Sequence, residues 1–181
     1  MPVLPDGYAL RPLTIDDAAA LAAAAVRNLD HLRPWEPVRP DSFFTEEGQR
    51  EVVQGRLRQV ELGLYDCSVL WHGDEVVGAA NLQNIVRGAM QGADVGYWVD
   101  HQHLRRGLAV AALDHLVQRA HALGLHRLGA STMVANVPSQ GVLRRCGFEE
   151  CGRIPDFLFL DEAWRTSLLF NLVLHDGPPR A

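Results

Sequence analysis

The residues from 94 to 109 read Asp94-Val95-Gly96-Tyr97-Trp98-Val99, then a polar turn, then Leu104-Arg105-Arg106-Gly107-Leu108-Ala109. The first segment is rich in β-branched and aromatic residues, which predicts a strand, and its central glycine predicts a bulge. After the second segment, apolar residues recur with the i, i+3, i+4, i+7 spacing of an amphipathic helix up to Gly124. The stretch therefore predicts a strand that enters a helix through a basic loop containing glycine.

This loop has the features of an anion site. The first turn of a helix carries backbone N–H groups without intrahelical acceptors and the positive end of the helix dipole. Gly107 and Ala109 keep side-chain bulk away from a ligand at that turn, and Arg105 and Arg106 add positive charge. A Walker loop is excluded because the chain has no lysine. A dinucleotide-binding G-x-G-x-x-G fingerprint is excluded because only one of its three glycines is present in the loop. The loop therefore predicts a different type of pyrophosphate cradle.

The loop Leu104–Ala109 resembles motif A of the GCN5-related N-acetyltransferases, Q/R-x-x-G-x-G/A. Its glycine and final alanine match, and its leucine stands where Gln or Arg is usual. Further on, Asn136-Val137-Pro138-Ser139 and Gly147-Phe148 resemble the N-x-x-S…GF segment of the RimJ/RimL branch, whose members acetylate protein N-termini. Residues 10–13 and 31–35 are similar to that branch as well. The resemblance covers nearly the whole chain in order and is more specific than motif A alone.

The resemblance implies an α/β GNAT fold: a mixed, mostly antiparallel twisted sheet of about six to seven strands with flanking helices, its central strand splayed at a bulge to admit acetyl-CoA. The sequence patterns predict the matching order β, α, α, β, β, β, α, β, α, β, β. Residues 28–41 and 84–92 are predicted loops, and residues 157–160 and 165–174 a closing hairpin. We expect a single domain over residues 1–181, with flexible ends at about 1–7 and 175–181.

The composition argues against several classes of function. A net charge of −5 does not suit a broad nucleic-acid surface, which requires many phosphate contacts, whereas it is compatible with a cationic amine substrate. The longest apolar run, residues 18–26, is too short to span a bilayer and follows two aspartates rather than a basic region. We therefore expect no membrane helix, no signal peptide and a cytoplasmic location.

Neither a metal site nor a covalent nucleophile is expected. The three cysteines, Cys67, Cys146 and Cys151, are an odd number without paired spacing or a nearby histidine pattern, so buried structural thiols are predicted. A zinc site on the last two would need two further ligands. The histidines form no recognisable metal pattern, and surface positions are predicted for His101, His103, His115 and His121.

Acetylation of an amine requires a neutral amine, a polarised thioester and a proton for the departing thiolate. An α-amino group has an ordinary pKa of about 8 and a lysine ε-amine about 10.4, so an enzyme acting on N-termini can work with a weak base. Asp94 is the first candidate base because it lies near the expected thioester position, where the resembling branch often carries an acidic residue. A solvated carboxylate is the alternative for Asp94, and Glu162, in the last hairpin's turn, is a second candidate base.

Further site residues follow from the loop and the resemblance. The resemblance implies that Asn136 hydrogen-bonds the pantetheine amides and that Ser139 assists the leaving thiolate, although both residue types also cap helices. No tyrosine follows Asn136, so the tyrosine acid that other acetyltransferases use there is missing. Backbone N–H groups at Tyr97 or Trp98 are candidates for holding the thioester oxygen. The predicted cofactor-binding residues are Tyr97, Trp98, Val99, Leu104, Arg105, Arg106, Gly107, Leu108, Ala109, Asn136 and Ser139, and the predicted substrate residues are Trp35 and Asp94.

We therefore expect an acetyl-CoA-dependent N-acetyltransferase of the RimJ/RimL type that transfers acetyl directly to a primary amine, first of all a peptide or protein N-terminus. The same fold acting on a small amine, such as a polyamine or aminoglycoside, is the alternative enzyme. An acyl-CoA-binding module with little catalysis is an alternative of another class, made conceivable by Leu104 in motif A and by the missing tyrosine. Monomer and homodimer both remain open, as does an acyl group other than acetyl.

Overall fold

The computed structural model describes residues 4–178, and its seven strands form one sheet in the order β1-β2-β3-β4-β5-β7-β6. The pair β4–β5 is parallel, and the other neighbouring pairs are antiparallel. The strands are β1 (Tyr8–Pro12), β2 (Asp66–His72), β3 (Glu75–Val86), β4 (Gly92–Val99), β5 (Arg127–Met133), β6 (Glu149–Leu160) and β7 (Ala163–Val173). The helices are α1 (Ala18–Arg27), α2 (Leu29–Leu32), α3 (Glu46–Glu61), α4 (Leu108–Ala122) and α5 (Val137–Arg145), and short 3₁₀ turns cover Ile15–Asp17, Asp41–Phe44 and His101–His103.

Helices pack on both faces of the sheet, and the alternation of side chains along β4 serves both layers. Ala93, Val95 and Tyr97 belong to a core with α4, α5, β5 and β7. Trp98 points the other way, into a second core formed by α1, α3, β2 and β3. Because successive strand residues face opposite sides, Asp94 and Trp98 share the face toward α1 and α3. The predicted α/β fold with a mixed, mostly antiparallel sheet is confirmed.

The sheet opens between β4 and β5, which places a cleft at its centre. These two strands pair over only Gly92–Asp94 and Arg127–Gly129. Beyond that point β4 stays with β3 up to Val99, whereas β5 stays with β7 up to Met133, so the two halves of the sheet diverge. The splayed central strand is thus present.

The predicted bulge at Gly96 was wrong in its position. The pairing of β4 with β3 continues without a shift through Gly96, and the irregularity lies between Gln83 and Val86, where Asn84 has a φ of 53°. A glycine inside a strand indicates where a bulge is tolerated, but here the divergence arises because β5 changes partner from β4 to β7. No bulge at Gly96 is needed to open the cleft.

Three boundaries differ from the sequence prediction. The short α2 lies inside the predicted loop 28–41, β3 continues to Val86, and β6 begins at Glu149, well before the predicted residue 157. The early part of β6 was missed because it is an edge strand whose side chains are mostly exposed, so it lacks a burial alternation. The predicted flexible ends fall partly on residues 1–3 and 179–181, which lie outside the described residues. Within residues 4–178, no helix is both long and apolar enough to cross a membrane.

Candidate active site

The cleft between β4 and β5 offers unpaired backbone on both of its walls. Along Val95–Val99, the edge of β4 that faces β5 has no strand partner, and along Ala130–Met133 the facing edge of β5 has none. Backbone groups of this kind need hydrogen-bond partners from a ligand or from water. The Asp100 amide donates to Val77 of β3, so the alternation along an antiparallel pair directs the Trp98 N–H to β3 as well. Of the two predicted donors, the Tyr97 N–H is therefore the one that faces the cleft.

The phosphate loop lies where β4 leads into α4. Gly107 has a φ of 76° and precedes the first residue of α4, and a Cβ added to it would meet nothing within 4 Å. The first α4 hydrogen bond runs from the Ala111 amide to the Gly107 carbonyl, so the N–H groups of residues 108–110 have no acceptor inside the helix. The Leu108 side chain is buried in the core, so this residue can offer a ligand only its backbone. The structure therefore contains the predicted cradle: unpaired backbone amides next to open space at Gly107.

The two loop arginines have different surroundings. Arg105 adopts a φ of 61°, is exposed, and forms no hydrogen bond or ion pair within the part of the chain that the structure describes. Arg106 donates to the Tyr8 hydroxyl at 2.8 Å, and that hydroxyl lies 2.7 Å from Nδ1 of His103. Because Tyr8 accepts from Arg106, its own hydrogen is free to bond a neutral His103. Of the two arginines, Arg105 is thus the one free to contact a phosphate directly.

His103 corrects a prediction from the sequence. It is 8% exposed rather than a surface histidine, whereas His101 and His121 are exposed as predicted and His115 is half-buried. Burial lowers the pKa of His103, and the nearby positive charge of Arg106 acts in the same direction against the opposing effect of Asp100. The neutral ring therefore joins β1 to the phosphate loop through Tyr8. A histidine three residues after Asp100 gave no sequence signal for this role, because Tyr8 is 95 positions away.

At the end of the cleft nearest α5, Tyr97 reaches Ser139. The Tyr97 hydroxyl donates to the Ser139 carbonyl oxygen at 3.3 Å and lies 3.2 Å from Ser139 Oγ. Burial raises the pKa of Tyr97 to about 12, against a lowering effect of the Ser139 hydrogen bond. The Asn136 side chain caps α5 by accepting from the Ser139 amide at 3.2 Å, which leaves its NH₂ group without a bond to any described residue. The cap that the sequence allowed for Asn136 is therefore real, whereas Ser139 is not a cap.

Asp94 lies at the apex of the cleft, at its last paired position. Its carboxylate accepts from Asn84 Nδ2 at 3.0 Å and faces Gly129 of β5. A Cβ added to Gly129 would lie 2.7 Å from Asp94 Oδ1, so any larger residue at position 129 would force this carboxylate to move. Sequence reasoning missed Gly129, since an isolated strand glycine does not reveal which neighbour it accommodates. Asp94 and Tyr97 project to opposite faces of β4, and no hydrogen bond joins Asp94 to Ser139 in the described chain.

A second wall comes from the segment after α1. The side-chain Oδ1 of Asn28 accepts from the His101 amide at 2.9 Å, and the His31 and His101 rings lie 6.1 Å apart, which holds α2 beside the carboxyl end of β4. Trp35 follows in the next turn, where its amide donates to the Leu32 carbonyl, and its side chain is half-buried. Trp35 thus lies one turn beyond α2, the helix that adjoins the carboxyl end of β4.

The remaining candidates are Glu162, which lies in the β6–β7 turn, and the three cysteines. Glu162 is exposed in the β6–β7 turn with a φ of 58°. Burial raises the pKa of Cys67 to about 11 and that of Cys146 to about 12, so both remain thiols. The prediction of buried cysteines was wrong for Cys151, which is exposed on the edge strand β6. Among residues 4–178, no group of three His, Cys, Asp or Glu residues is placed to hold a metal ion.

Comparisons with known proteins agree on one family. Residues 8–149 match the family model described as acetyltransferase (GNAT) domain. The chain is 32% identical over 173 residues to the [ribosomal protein uS5]-alanine N-acetyltransferase of Escherichia coli K12, covering 90% of this chain and 86% of that protein.

Two solved structures show the same fold. The ribosomal-protein-S5-alanine acetyltransferase from Vibrio fischeri superposes with a TM-score of 0.92 at 27% identity, covering 98% of both chains. Mycobacterium smegmatis RimJ in complex with CoA-disulfide superposes with a TM-score of 0.86 at 32% identity, covering 92% of this chain and 81% of that chain.

Proposed function

This chain belongs to the GNAT acetyltransferase family and is an acetyl-CoA-dependent N-acetyltransferase, and from that premise we propose that its acceptor is the α-amine at the N-terminus of a protein or peptide. The observation that carries the proposal is the central cleft, which joins a free helix N-terminus at one end to the Tyr97–Ser139 pair at the other. The relatives named above as ribosomal-protein alanine acetyltransferases support this acceptor.

The residues present fit the coenzyme. The open space at Gly107 and the unpaired amides of residues 108–110 suit a pyrophosphate, and the unpaired edge of β4 suits the amides of the pantetheine arm. Bound there, acetyl-CoA supplies an activated acetyl thioester. In this proposal Arg105 binds a phosphate, the Asn136 NH₂ group binds a pantetheine amide, and the N–H of Tyr97 holds the thioester oxygen.

Two side chains move protons in the proposed mechanism. Asp94 accepts a proton from the acceptor amine, directly or through water, at the apex of the cleft. Ser139 donates a hydrogen bond to the departing sulfur, while its Oγ accepts from the Tyr97 hydroxyl, which fixes the position of the serine. The α-amine of an N-terminus has an ordinary pKa of about 8, so Asp94 need not be a strong base for this acceptor. The Trp35 segment forms the acceptor side, and we place the reaction in the cytoplasm, where ribosomal proteins are made.

Thiol release from acetyl-CoA against a panel of acceptors tests the proposal. The panel contains peptides with free N-terminal Ala, Ser or Met, the same peptides with acetylated N-termini and one internal lysine, spermidine, and an aminoglycoside. We expect turnover with the free N-termini and none with the blocked peptides. Mass spectrometry of the product then locates the acetyl group on the α-amine.

Each other outcome favours one of the alternatives. Turnover on spermidine or the aminoglycoside alone would contradict the proposal and identify a small-amine enzyme. Tight coenzyme A binding without turnover on any amine, repeated with other acyl donors, would identify an acyl-CoA-binding module. Analytical ultracentrifugation of the same preparation decides between monomer and homodimer.

A further inference from the structure

The phosphate loop has a costly backbone conformation on either side of Arg106. Arg105 before it has a φ of 61°, and Gly107 after it has a φ of 76°. A left-handed conformation is unfavourable for arginine, so the loop needs contacts that hold it in this shape. Among residues 4–178, the bond from Arg106 to the Tyr8 hydroxyl is the one side-chain hydrogen bond that residues 104–107 form. Arg106 therefore ties the loop to β1.

Tyr8 is held in place by packing that does not involve its hydroxyl. The centre of its ring lies 4.5 Å from that of His72, its partner in the β1–β2 pair. The ring also packs against a core cluster that includes Leu70 and Leu108. The hydroxyl thus reaches Arg106 from a fixed strand, and Tyr8→Phe removes this bond while it keeps the packing.

His103 determines how the Tyr8 hydroxyl can bond. The two rings stand edge to face with their centres 5.6 Å apart, and Nδ1 lies 2.7 Å from the hydroxyl oxygen. When the ring is neutral, Nδ1 accepts the Tyr8 hydrogen, and the oxygen is left to accept from Arg106. When the ring is protonated, Nδ1 donates instead, so two cations compete for one oxygen and the Tyr8 hydrogen loses its acceptor. Neutral His103 therefore favours the bond to Arg106, and protonated His103 opposes it.

The surroundings of His103 favour the neutral ring. Burial lowers its pKa, and the positive charge of Arg106 and that of His72 when protonated act in the same direction, whereas the carboxylates of Asp100 and Glu75 oppose them. With Tyr8, these are the titratable and charged groups that face the ring from β1, β2, β3 and the turn between β4 and α4. The ring is therefore neutral at pH 8, and acid protonates it.

We propose that Tyr8 and His103 are positioning residues for coenzyme A: while His103 is neutral they hold Arg106, and with it the phosphate loop, in the shape that accepts the pyrophosphate. Protonation of His103 releases Arg106. The pyrophosphate at the α4 N-terminus is the fixed point, so this inference rests on the proposed function. In this role Arg106 supports the loop while Arg105 contacts the phosphate. A loop already held in its bound shape loses less entropy on binding, so the effect is on affinity rather than on the rate of transfer.

The test measures the dissociation constant for coenzyme A by isothermal titration calorimetry at pH 8 and at pH 5, for the wild type and Tyr8→Phe. We expect Tyr8→Phe to weaken binding about fivefold at pH 8, the usual effect of losing one hydrogen bond. At pH 5 the two proteins should bind equally, because protonated His103 already releases Arg106 in the wild type. The ratio of the two constants is compared, since the phosphates of the coenzyme titrate alike with both proteins.

Two further variants separate this role from a general effect on the fold. His103→Asn places an amide oxygen close to the position of Nδ1, so Tyr8 keeps an acceptor that does not titrate. In that background, Tyr8→Phe should weaken binding about fivefold at both pH values. Tyr65→Phe is the matched control, because Tyr65 is a half-buried tyrosine of the other core whose hydroxyl has no hydrogen-bond partner in the described part of the chain. It should bind coenzyme A like the wild type.

A kinetic measurement adds a readout that a purely structural role would not give. At pH 8, with the acceptor found by the panel above, Tyr8→Phe should raise the KM for acetyl-CoA about fivefold and leave kcat within about twofold. A fall in kcat with an unchanged KM would contradict a role in positioning the phosphate loop.

Three binding results would also overturn the inference. Tighter or unchanged binding by Tyr8→Phe at pH 8 would show that the bond to Tyr8 does not support the loop. A ratio that stays at about fivefold at pH 5 with His103 present would remove the histidine from this role. An equal loss in Tyr65→Phe would assign the effect to general stability. These results leave the proposed acceptor intact, whereas a wild-type protein that does not bind coenzyme A would refute the proposed function together with the inference.

Discussion

Ser139 and Tyr97 meet across the cleft, and the contact determines how either hydroxyl acts. Burial raises the pKa of Tyr97 to about 12, so its phenol stays protonated at neutral and mildly alkaline pH and serves to orient rather than to donate a proton. Ser139 Oγ, at 3.2 Å, is the hydroxyl left to face the departing sulfur. We expect Ser139→Ala to lower kcat at least about tenfold while the Kd for coenzyme A stays within about twofold, measured by thiol release and calorimetry.

Tyr97→Phe provides the check on this assignment. It removes the phenol oxygen but keeps the ring that packs in the core, so kcat should fall without loss of coenzyme A binding. Because Tyr97 acts through Ser139, the double variant should be no slower than Ser139→Ala alone. Losses that add, or a Ser139→Ala variant that loses binding instead of kcat, would make the pair a structural contact.

Asp94 and Gly129 form a second coupled pair of residues. Asp94→Asn should lower turnover at least about tenfold and alter the pH profile, because the amide cannot accept the amine proton. Gly129→Ala should have a similar effect on turnover, because its Cβ would lie 2.7 Å from Asp94 Oδ1 and displace the carboxylate. Gly152→Ala is the matched control in a strand, since its Cβ meets only Leu169 at an ordinary 3.7 Å. Unchanged kinetics in Asp94→Asn would remove this carboxylate from the mechanism.

For the elements, the junction of the phosphate loop with α4 is the most informative. Gly107→Ala forces a side chain into a left-handed conformation at φ 76°, which costs about 1–2 kcal/mol, and fills the space where the pyrophosphate is expected. Gly63→Ala carries the same backbone strain at φ 70° in open space after α3. Both variants should lose similar stability in urea unfolding, but only Gly107→Ala should weaken coenzyme A binding, by about tenfold. Equal affinities would show that the loop does not hold the phosphate.

The elements that sequence predicts well are those with a buried face. The helix α4 was predicted because its buried residues, among them Leu113 and Leu116, repeat with helical period. The strand β6 was predicted only in part because its side chains are mostly exposed at the edge of the sheet. The cleft itself follows from the change of partner by β5, a property of pairing between distant segments that no local pattern contains.

The same limit applies to the candidate site. The glycine loop was predictable because its residues are adjacent in the chain and act through their own backbone. The contact between Tyr97 and Ser139 joins residues 42 positions apart, and it supplies a tyrosine near the serine that a search downstream of Asn136 could not find. The role of Gly129 became visible only in the structure, where it lies next to Asp94 on the neighbouring strand. The candidate chemical groups could thus be identified from the sequence, whereas the residues that contact them could be identified only from the fold.

Across the whole molecule, the sheet is two halves that share three residue pairs between β4 and β5. The first half is tied to its helical layer by Asp100, at the end of β4, whose fully buried carboxylate accepts from Arg27 at 2.6 Å and from Asn28 at 2.8 Å. Arg27 also donates to the Val76 carbonyl of β3. This network fixes the start of α2 against the carboxyl end of β4.

The network makes stability depend on pH in a defined direction. Burial alone would raise the pKa of Asp100, but hydrogen bonds from Asn28, Gln102 and Arg27 outweigh it and hold the pKa below its usual 3.8. A lowered folded-state pKa stabilises the protein above the unfolded-state pKa, and this contribution is lost as pH falls through the folded-state value. The stabilisation should therefore be constant from pH 7 to about pH 5 and decline below about pH 4.

Asp100→Asn tests this at the level of global unfolding. The variant leaves Arg27 without its buried carboxylate, so we expect urea denaturation at pH 7 to show a loss of about 2–4 kcal/mol. Asp161→Asn breaks an exposed ion pair with Arg165 in a left-handed position that asparagine tolerates, and should cost less than about 0.5 kcal/mol. The difference between wild type and Asp100→Asn should begin to shrink below about pH 4 and disappear only below the lowered folded-state pKa of Asp100, where both proteins carry a neutral group at position 100. A difference that is small at pH 7, or that persists unchanged in acid, would mean that packing around Asp100 rather than its charge holds α2 against the sheet.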